Sequence, residues 1–147
     1  MLTIEISLLL ICLVLSGFFS SSETALFSIS KVKALHIAKD GSKSGRLIMR
    51  MKEDSHTLLT TILIGNNLVN IGASAIATAL AIRHFESNAV GIATGGMTLL
   101  ILVFGEIFPK SFANHNNILV ARVVIFPLFW LSKIFFPLIL MLNVIPR

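Results

Sequence analysis

The sequence predicts an all-α membrane protein, with three transmembrane helices and juxtamembrane amphipathic helices on the cytoplasmic side. Apolar residues make up 55% of its 147 residues and charged residues only 13%, whereas soluble domains average about 25% charged residues. The mean hydropathy is +0.90. Three apolar stretches are long enough to cross a bilayer, which takes about 20 residues. These observations argue against a soluble enzyme, a nucleic-acid-binding protein and a disordered chain, even though the net charge is +5.

The predicted spans cover about residues 4–30, 57–82 and 87–108 of one transmembrane domain, residues 1–147. The apolar run Ile6–Ser30 of the first span contains a single charged residue, Glu23, and the second span contains none. A cleaved signal peptide is the alternative for the first segment, but a basic leading region and a small-residue cleavage site are both lacking. We therefore expect this segment to remain in the protein as a membrane span.

The distribution of basic residues predicts the orientation in the membrane. The loop of residues 31–56 holds seven of the twelve basic residues, and the Arg83–Asn88 hairpin between the second and third spans holds one. The seven are Lys31, Lys33, Lys39, Lys43, Arg46, Arg50 and Lys52. Basic residues concentrate in cytoplasmic loops. We therefore expect a multi-pass protein of the plasma membrane, with the N-terminus and the hairpin outside and the basic loop and C-terminus in the cytoplasm.

The tail, residues 111–147, permits two interpretations. It is rich in Phe, Leu and Ile, but it is interrupted by Arg122, Pro127, Lys133 and Pro137. One interpretation is a fourth, proline-kinked span. The other is a juxtamembrane helical belt at the cytoplasmic interface, with the charged side chains snorkelling towards water. We favour the belt, because neither apolar stretch between the charges reaches about 20 residues.

Polar residues inside the first span form one candidate site cluster. Ser16, Ser20 and Glu23 are four and three residues apart, so they share one face of a helix. Polar groups that face lipid are costly, so this face should point into the protein or into an aqueous cavity. The alternative is that the serines bond to the carbonyl four residues back and that Glu23 only caps or pairs near the helix end.

Three asparagines form a second cluster near the centre of the second span. Asn66, Asn70 and Ser74 share a helical face, and Asn67 lies beside it. A single buried asparagine commonly joins two transmembrane helices. Three exceed that need, and their amide oxygens are suitable ligands for a hard cation.

The third cluster, at the end of the third span, contains Gly105, Glu106, Pro109 and Lys110. Pro109 has no N–H, so it cannot donate to the carbonyl four residues back, which belongs to Gly105. The pattern predicts a broken helix with a free carbonyl beside a carboxylate, as transporters use to hold ions. The alternative is that Pro109 ends the span and that Glu106 pairs with Lys110.

The candidate ligands are hydroxyl, amide, carboxylate and carbonyl oxygens. An all-oxygen site suits Mg²⁺, Ca²⁺ or an alkali cation rather than zinc or copper. The sequence contains no phosphate-binding loop, nucleophile elbow or metalloprotease helix, so we do not expect an enzyme.

Three motifs, in this order and spacing, resemble the transmembrane domain of the CorC / cyclin M (CNNM) family of magnesium transporters. The motifs are SGFFSSSETAL (Ser16–Leu26), GNNLVN (Gly65–Asn70) and GEIFPK (Gly105–Lys110). The resemblance implies three spans, a juxtamembrane helical belt, a homodimer, and Mg²⁺ export with Na⁺ exchange as the proposed coupling. It also implies cytoplasmic CBS domains, which bind adenine nucleotide, downstream of this chain.

The resulting hypothesis is a Mg²⁺ transporter domain with an ion site inside the three-helix bundle. The expected ligands are the hydroxyls of Ser16 and Ser20, the amides of Asn66 and Asn70, the Gly105 carbonyl and the Glu106 carboxylate. Supporting positions are Ser22, Glu23, Asn67, Pro109 and Lys110. The alternatives are a carrier of another divalent cation and a non-transporting dimeric membrane anchor for a cytoplasmic regulatory domain.

The charge asymmetry generates a topology prediction. A cysteine that replaces Ser87, in the hairpin, should react with an impermeant thiol reagent added to intact cells. A cysteine that replaces Ser42, in the basic loop, should react only after the cells are permeabilised. The opposite labelling pattern would overturn the predicted orientation.

Overall fold

The computed structural model describes residues 1–85 and 89–145. They are helical almost throughout, so the expected all-α class is confirmed. The hairpin position Ser87, the expected start of the third span at residue 87 and the end of the tail at residues 146–147 lie outside the described residues. The helices are α1 (Leu2–Ser28), α2 (Lys31–Ala38), α3 (Lys43–Glu53), α4 (Ser55–His84), α5 (Ala89–Leu100), a π-helical segment (Ile101–Ile107), α6 (Phe108–His115), α7 (Asn117–Ile134) and α8 (Phe136–Val144).

Four helices in the described part of the chain are long and apolar enough to cross a membrane, judged by length and composition. They are Leu2–Ser28, Ser55–His84, Val90–His115 and Asn117–Ile134. The sequence predicted three spans, so this expectation is corrected in two respects. The third helix continues past residue 108, and the π-helical segment Ile101–Ile107 passes directly into α6, in whose first turn Pro109 lies. The fourth candidate is α7, which continues through Pro127.

Helices α1 and α4 form the central pair of the fold. They run antiparallel, and the buried ring of Phe19 fits against the backbone of Gly65. A Cβ atom at Gly65 would lie only 2.2 Å from that ring. Glycine at this position therefore allows the two helices to approach at the level where the polar residues of both lie.

Helices α2 and α3 connect the adjacent ends of α1 and α4, so they lie at one end of the bundle. The side chains of Ser30, Ser42 and Asp54 accept hydrogen bonds from backbone N–H groups and begin α2, α3 and α4 respectively. These N-caps satisfy donors that have no partner within the helix. The basic loop of the sequence is thus a pair of short, well-capped helices.

Lys52 closes the end of α1 from the neighbouring helix. Its ammonium group donates hydrogen bonds to the carbonyl oxygens of Leu26, at 2.9 Å, and of Ile29. These carbonyls lie at the negative end of the α1 dipole, where a cation is favourable. The side chain is buried, and burial lowers the pKa of Lys52.

A charged hydrogen-bond group joins α7 to the turn between α2 and α3. Arg122 donates to Asp40 at 2.5 Å and to the hydroxyls of Ser42 and Ser44 at 2.9 and 3.1 Å. Hydrogen bonds from Ser42 and Arg122 hold the pKa of the Asp40 carboxyl well below its usual range. Arg122, which the sequence marked as an interruption of the tail, is therefore paired with a carboxylate and two hydroxyls at a partly exposed position.

Candidate ion-binding site

The segment Ile101–Ile107 has π-helical geometry rather than the expected break. The N–H of Phe108 donates to the carbonyl of Val103, five residues back. In the same register the donor for the Phe104 carbonyl would be Pro109, which has no N–H. The proline therefore deprives Phe104 as well as Gly105 of a possible donor, while the helix axis continues. Such π-helical turns inside α-helices are frequent at functional sites.

Three of the expected site residues meet at Ser16 of α1, which contacts both α4 and this segment. The hydroxyl of Ser16 donates to Oδ1 of Asn70 at 2.8 Å, and it lies 3.5 Å from the carbonyl oxygen of Gly105. Ser16 is 1% exposed, and Gly105 is also buried. One oxygen from each of three helical segments thus converges in the interior of the bundle.

Two glycines make this convergence possible. A Cβ atom on Gly105 would lie 2.8 Å from the hydroxyl oxygen of Ser16, so any side chain there would displace it. A Cβ atom on Gly17 would lie 3.2 Å from the ring of Pro109 and 3.6 Å from the carbonyl oxygen of Phe104. Close backbone approach at small residues is the usual packing device of membrane helices.

A second polar level lies one helical turn away. The contacts of Ser16 with Asn70 and of Phe19 with Gly65 fix the antiparallel register of α1 and α4. One turn along both helices, this register brings Ser20 to the level of Asn66. Within the described residues, the buried Oγ of Ser20 and Oδ1 of Asn66 have no hydrogen-bond partner. Buried oxygens without a partner are uncommon, and a water molecule or an ion is one kind of partner that can satisfy them.

Two other serines of α1, Ser21 and Ser22, bond to a carbonyl of their own helix, as the alternative interpretation expected. Ser22 donates to the carbonyl of Phe18 at 2.6 Å, and Ser21 donates to the same carbonyl at 3.0 Å. The hydrogen-bonding capacity of these two hydroxyls is therefore satisfied within α1. Ser16 and Ser20 do not follow this pattern, which separates them chemically from the rest of the run.

The charged residues of the expected site separate into two groups. Lys110 lies 3.6 Å from the carboxylate of Glu23, so α6 pairs with α1 near the end of both helices. Glu106 is half-buried, and no basic side chain in residues 1–85 and 89–145 lies within 4 Å of its carboxylate. The alternative pairing of Glu106 with Lys110 is thus replaced by the pairing of Glu23 with Lys110. No hydrogen bond of the described residues joins Glu106 to Ser16, Ser20, Asn66 or Asn70.

Two polar residues of α4, Asn67 and Ser74, lie away from the buried oxygens of Ser16 and Ser20. Asn67 and Ser74 are exposed, whereas Asn66 and Asn70 are half-buried on the side of α1. The helical-face argument from the sequence distinguished Asn67 but grouped Ser74 with the other two. Sequence reasoning also missed the carbonyl of Phe104, because it assumed a donor four residues away rather than five.

The local chemistry is that of a neutral oxygen cluster with one carboxylate nearby. In the described part of the chain, no three residues of the His, Cys, Asp and Glu types come together. The converging groups are a hydroxyl, an amide oxygen and backbone carbonyls. Hard cations prefer such ligands.

Comparison with known proteins gives the context of this arrangement. A model of the cyclin M transmembrane N-terminal domain matches residues 7–147. A UPF0053 protein of Haemophilus influenzae is 44% identical over 140 residues, which cover 95% of this chain and 33% of that protein. The UPF0053 inner membrane protein YfjD of Escherichia coli is 38% identical, with 90% of this chain and 31% of that protein covered.

A relative with a functional name is more distant. The metal transporter cnnm-4 of Caenorhabditis elegans is 30% identical over 148 residues, which cover 94% of this chain and 31% of that protein. The chain thus spans about a third of the length of these relatives. It is a multi-pass membrane protein, and the family match extends over all three polar clusters. The resemblance read from the sequence is therefore confirmed, and the chain belongs to the cyclin M (CNNM) family, as its transmembrane N-terminal domain.

Proposed function

We propose that this domain carries Mg²⁺ across the membrane and binds it between α1, α4 and the π-helical segment. The observation that carries the proposal is the convergence of the Ser16 hydroxyl, the Asn70 amide oxygen and the Gly105 carbonyl. The buried oxygens of Ser20 and Asn66 have no partner in the described residues, and they would become further ligands of the same ion if the two levels, one helical turn apart, moved closer together. A relative that bears the name metal transporter agrees with this function.

The spacing of the oxygens suits a small octahedral ion. Mg²⁺ binds oxygen at 2.0–2.1 Å, so neighbouring ligands of an octahedron lie about 2.9 Å apart. The oxygens of Ser16 and Asn70 are 2.8 Å apart. The carbonyl of Gly105 lies 3.5 Å from the Ser16 hydroxyl and would have to approach by about 0.6 Å. An incoming ion would replace the hydrogen bond of Ser16 with a shared ion contact.

Charge is the second requirement of the proposed site. Hydroxyl, amide and carbonyl oxygens are neutral, so a dehydrated divalent ion among them needs a carboxylate nearby. Glu106 follows Gly105 directly in the chain, and no described basic side chain neutralises it. We assign this charge to Glu106. We also propose Na⁺ exchange as the coupling, which rests on the family membership alone.

Of the four helices that are long and apolar enough to cross a membrane, we propose that three do so, namely α1, α4 and the composite helix Val90–His115. Helices α7 and α8 then form the juxtamembrane belt, and the N-terminus lies outside the plasma membrane. Gly91 and Gly95 would meet no other atom within 4 Å if they carried a Cβ, so this surface is open for close packing in a homodimer. The remaining two thirds of the relatives provide room for cytoplasmic CBS domains.

The first prediction concerns the charge at Glu106. Glu106→Gln keeps the shape of the side chain and removes one negative charge next to the ion. We expect at least a 100-fold loss of Mg²⁺ affinity, about 2.7 kcal/mol. The dependence of the Mg²⁺ flux into proteoliposomes on Mg²⁺ concentration, with and without a Na⁺ gradient, measures this affinity. Glu53→Gln, at an exposed position of α3, is the control and should transport like the parent. Equal transport by the two variants would refute the assignment of the charge to Glu106.

The alternative function, a membrane anchor that does not transport, makes a different prediction. In an anchor, Mg²⁺ would have no saturable effect on thermal stability.

The second prediction concerns the π-helical segment. Pro109→Ala restores an N–H for the carbonyls of Phe104 and Gly105, so it should raise the free energy of unfolding by about 1 kcal/mol or more. It should also weaken Mg²⁺ binding, because those carbonyls become engaged in the helix. The control is Pro127→Ala in α7, which should stabilise the protein without changing Mg²⁺ binding. Calorimetry of unfolding and Mg²⁺ titration provide the two measurements, and unchanged binding in Pro109→Ala would contradict the proposed site.

The third prediction uses the unpartnered hydroxyl of Ser20. Ser20→Ala removes a buried oxygen without a partner, so it should stabilise the Mg²⁺-free protein by about 1–3 kcal/mol. The same change should reduce the further stabilisation that Mg²⁺ brings. Ser22→Ala is the matched control, because it breaks a hydrogen bond to Phe18 and should destabilise the protein with the Mg²⁺ effect intact. Unfolding midpoints with and without Mg²⁺ distinguish the two, and identical behaviour of both variants would exclude a role for Ser20.

A further inference from the structure

A cationic groove lies between α3 and α7, away from the oxygen cluster. Lys43, Arg46 and Arg50 lie three and four residues apart on the exposed side of α3. Together with Leu47 and Phe126 they line a groove of about 280 Å³. The opposite side of α3, with Ile48 and Met51, is buried in the core. The groove thus combines three positive charges with an apolar floor.

These three charges are not neutralised by the protein. Within residues 1–85 and 89–145, no carboxylate lies within 4 Å of the side-chain nitrogens of Lys43, Arg46 or Arg50. The contrast is Arg122 on the neighbouring helix, which pairs with Asp40. Two guanidinium groups and an ammonium in one groove are a suitable receptor for a phosphate group.

The floor of the groove continues into an apolar surface of α7. Exposed apolar side chains recur on this helix at intervals of three and four residues, so they form one stripe. The stripe consists of Leu119, Val123, Phe126, Trp130 and Ile134. The other side of α7 is buried against the core through Ala121, Ile125 and Leu128, among others. Phe126 belongs both to the stripe and to the groove.

The groove lies at the end of the bundle where a membrane boundary is expected. Helices α2 and α3 connect the end of α1, at Ser28, with the start of α4, at Ser55, and both α1 and α4 are long and apolar enough to span a membrane. Lys133 lies over the rings of Phe129 and Trp130, at 4.4 and 5.3 Å from their centroids, and Arg50 lies 5.5 Å from that of Phe129. Mixed aromatic and basic side chains are typical of the interfacial zone.

We propose that this groove binds an anionic phospholipid. The phosphate group contacts Arg46, Arg50 and Lys43, and an acyl chain follows the α7 stripe from Phe126 towards Trp130. Basic pockets between helices at a membrane surface recognise such headgroups. The continuity of the charged groove with an exposed apolar stripe favours a lipid over an acidic protein segment, which would need no apolar track.

The test uses the purified full chain in dodecylmaltoside and short-chain lipids as probes. Dioctanoyl phosphatidylglycerol should bind saturably, dioctanoyl phosphatidylcholine should bind at least about tenfold more weakly, and glycerol phosphate, which has no acyl chain, should bind more weakly still. The double variant Arg46→Gln/Arg50→Gln should weaken phosphatidylglycerol binding by about 10- to 30-fold. The control Lys33→Gln/Lys39→Gln removes the same charge from exposed positions outside the groove and should change binding less than about twofold.

A second variant tests the apolar part of the groove. Phe126→Ala should weaken binding of phosphatidylglycerol and leave that of glycerol phosphate unchanged, since the phosphate receptor remains. Three results would overturn the proposal. These are equal weakening by the groove variant and the control, equal binding of the two lipids, and binding of glycerol phosphate as tight as that of phosphatidylglycerol, which would indicate a site for free phosphate.

Discussion

The packing of the three central helical segments depends on the hydrogen bond from Ser16 of α1 to Asn70 of α4. A hydroxyl and an amide inside a membrane bundle must bond to each other or to a third group, because lipid offers no partner. Meeting at 2.8 Å fixes the distance between α1 and α4 at that level. Glycine at positions 65 and 105 then follows as a steric consequence, since a Cβ at either would collide with α1.

Most of the candidate site was predictable from the chemistry of single positions. Hydroxyls and amides are conspicuous in apolar spans, and helical spacing grouped Ser16 with Ser20 and Asn66 with Asn70. Spacing placed Ser20 on the face of Ser16 and left Ser22 as a supporting position. It did not show that Ser20 lies level with Asn66, because that depends on the register between α1 and α4, which is set by contacts between residues far apart in the chain, such as Phe19 with Gly65.

The extent of the helices was less predictable than their existence. Pro109 and Pro127 read as ends or kinks, but the helices continue through both. Charges also gave incomplete information. Arg122 was expected to snorkel at the interface and Lys52 was counted among the cytoplasmic charges, whereas Arg122 binds Asp40 and Lys52 caps α1. In both cases the hydrogen-bond partner is distant in the chain, and the sequence around the basic residue carries no sign of it.

The π-helical segment changes the rotation of the third membrane helix about its axis. Each of its turns takes about one residue more than a turn of α-helix. Conversion of Ile101–Ile107 to α geometry would turn everything beyond it by about 100° and shift it by about 1.5 Å along the axis. Lys110 would then swing away from Glu23, and the carbonyls near Ser16 would point elsewhere. A local change of winding can therefore couple the oxygen cluster to the ion pair at the end of the bundle, without unfolding any helix.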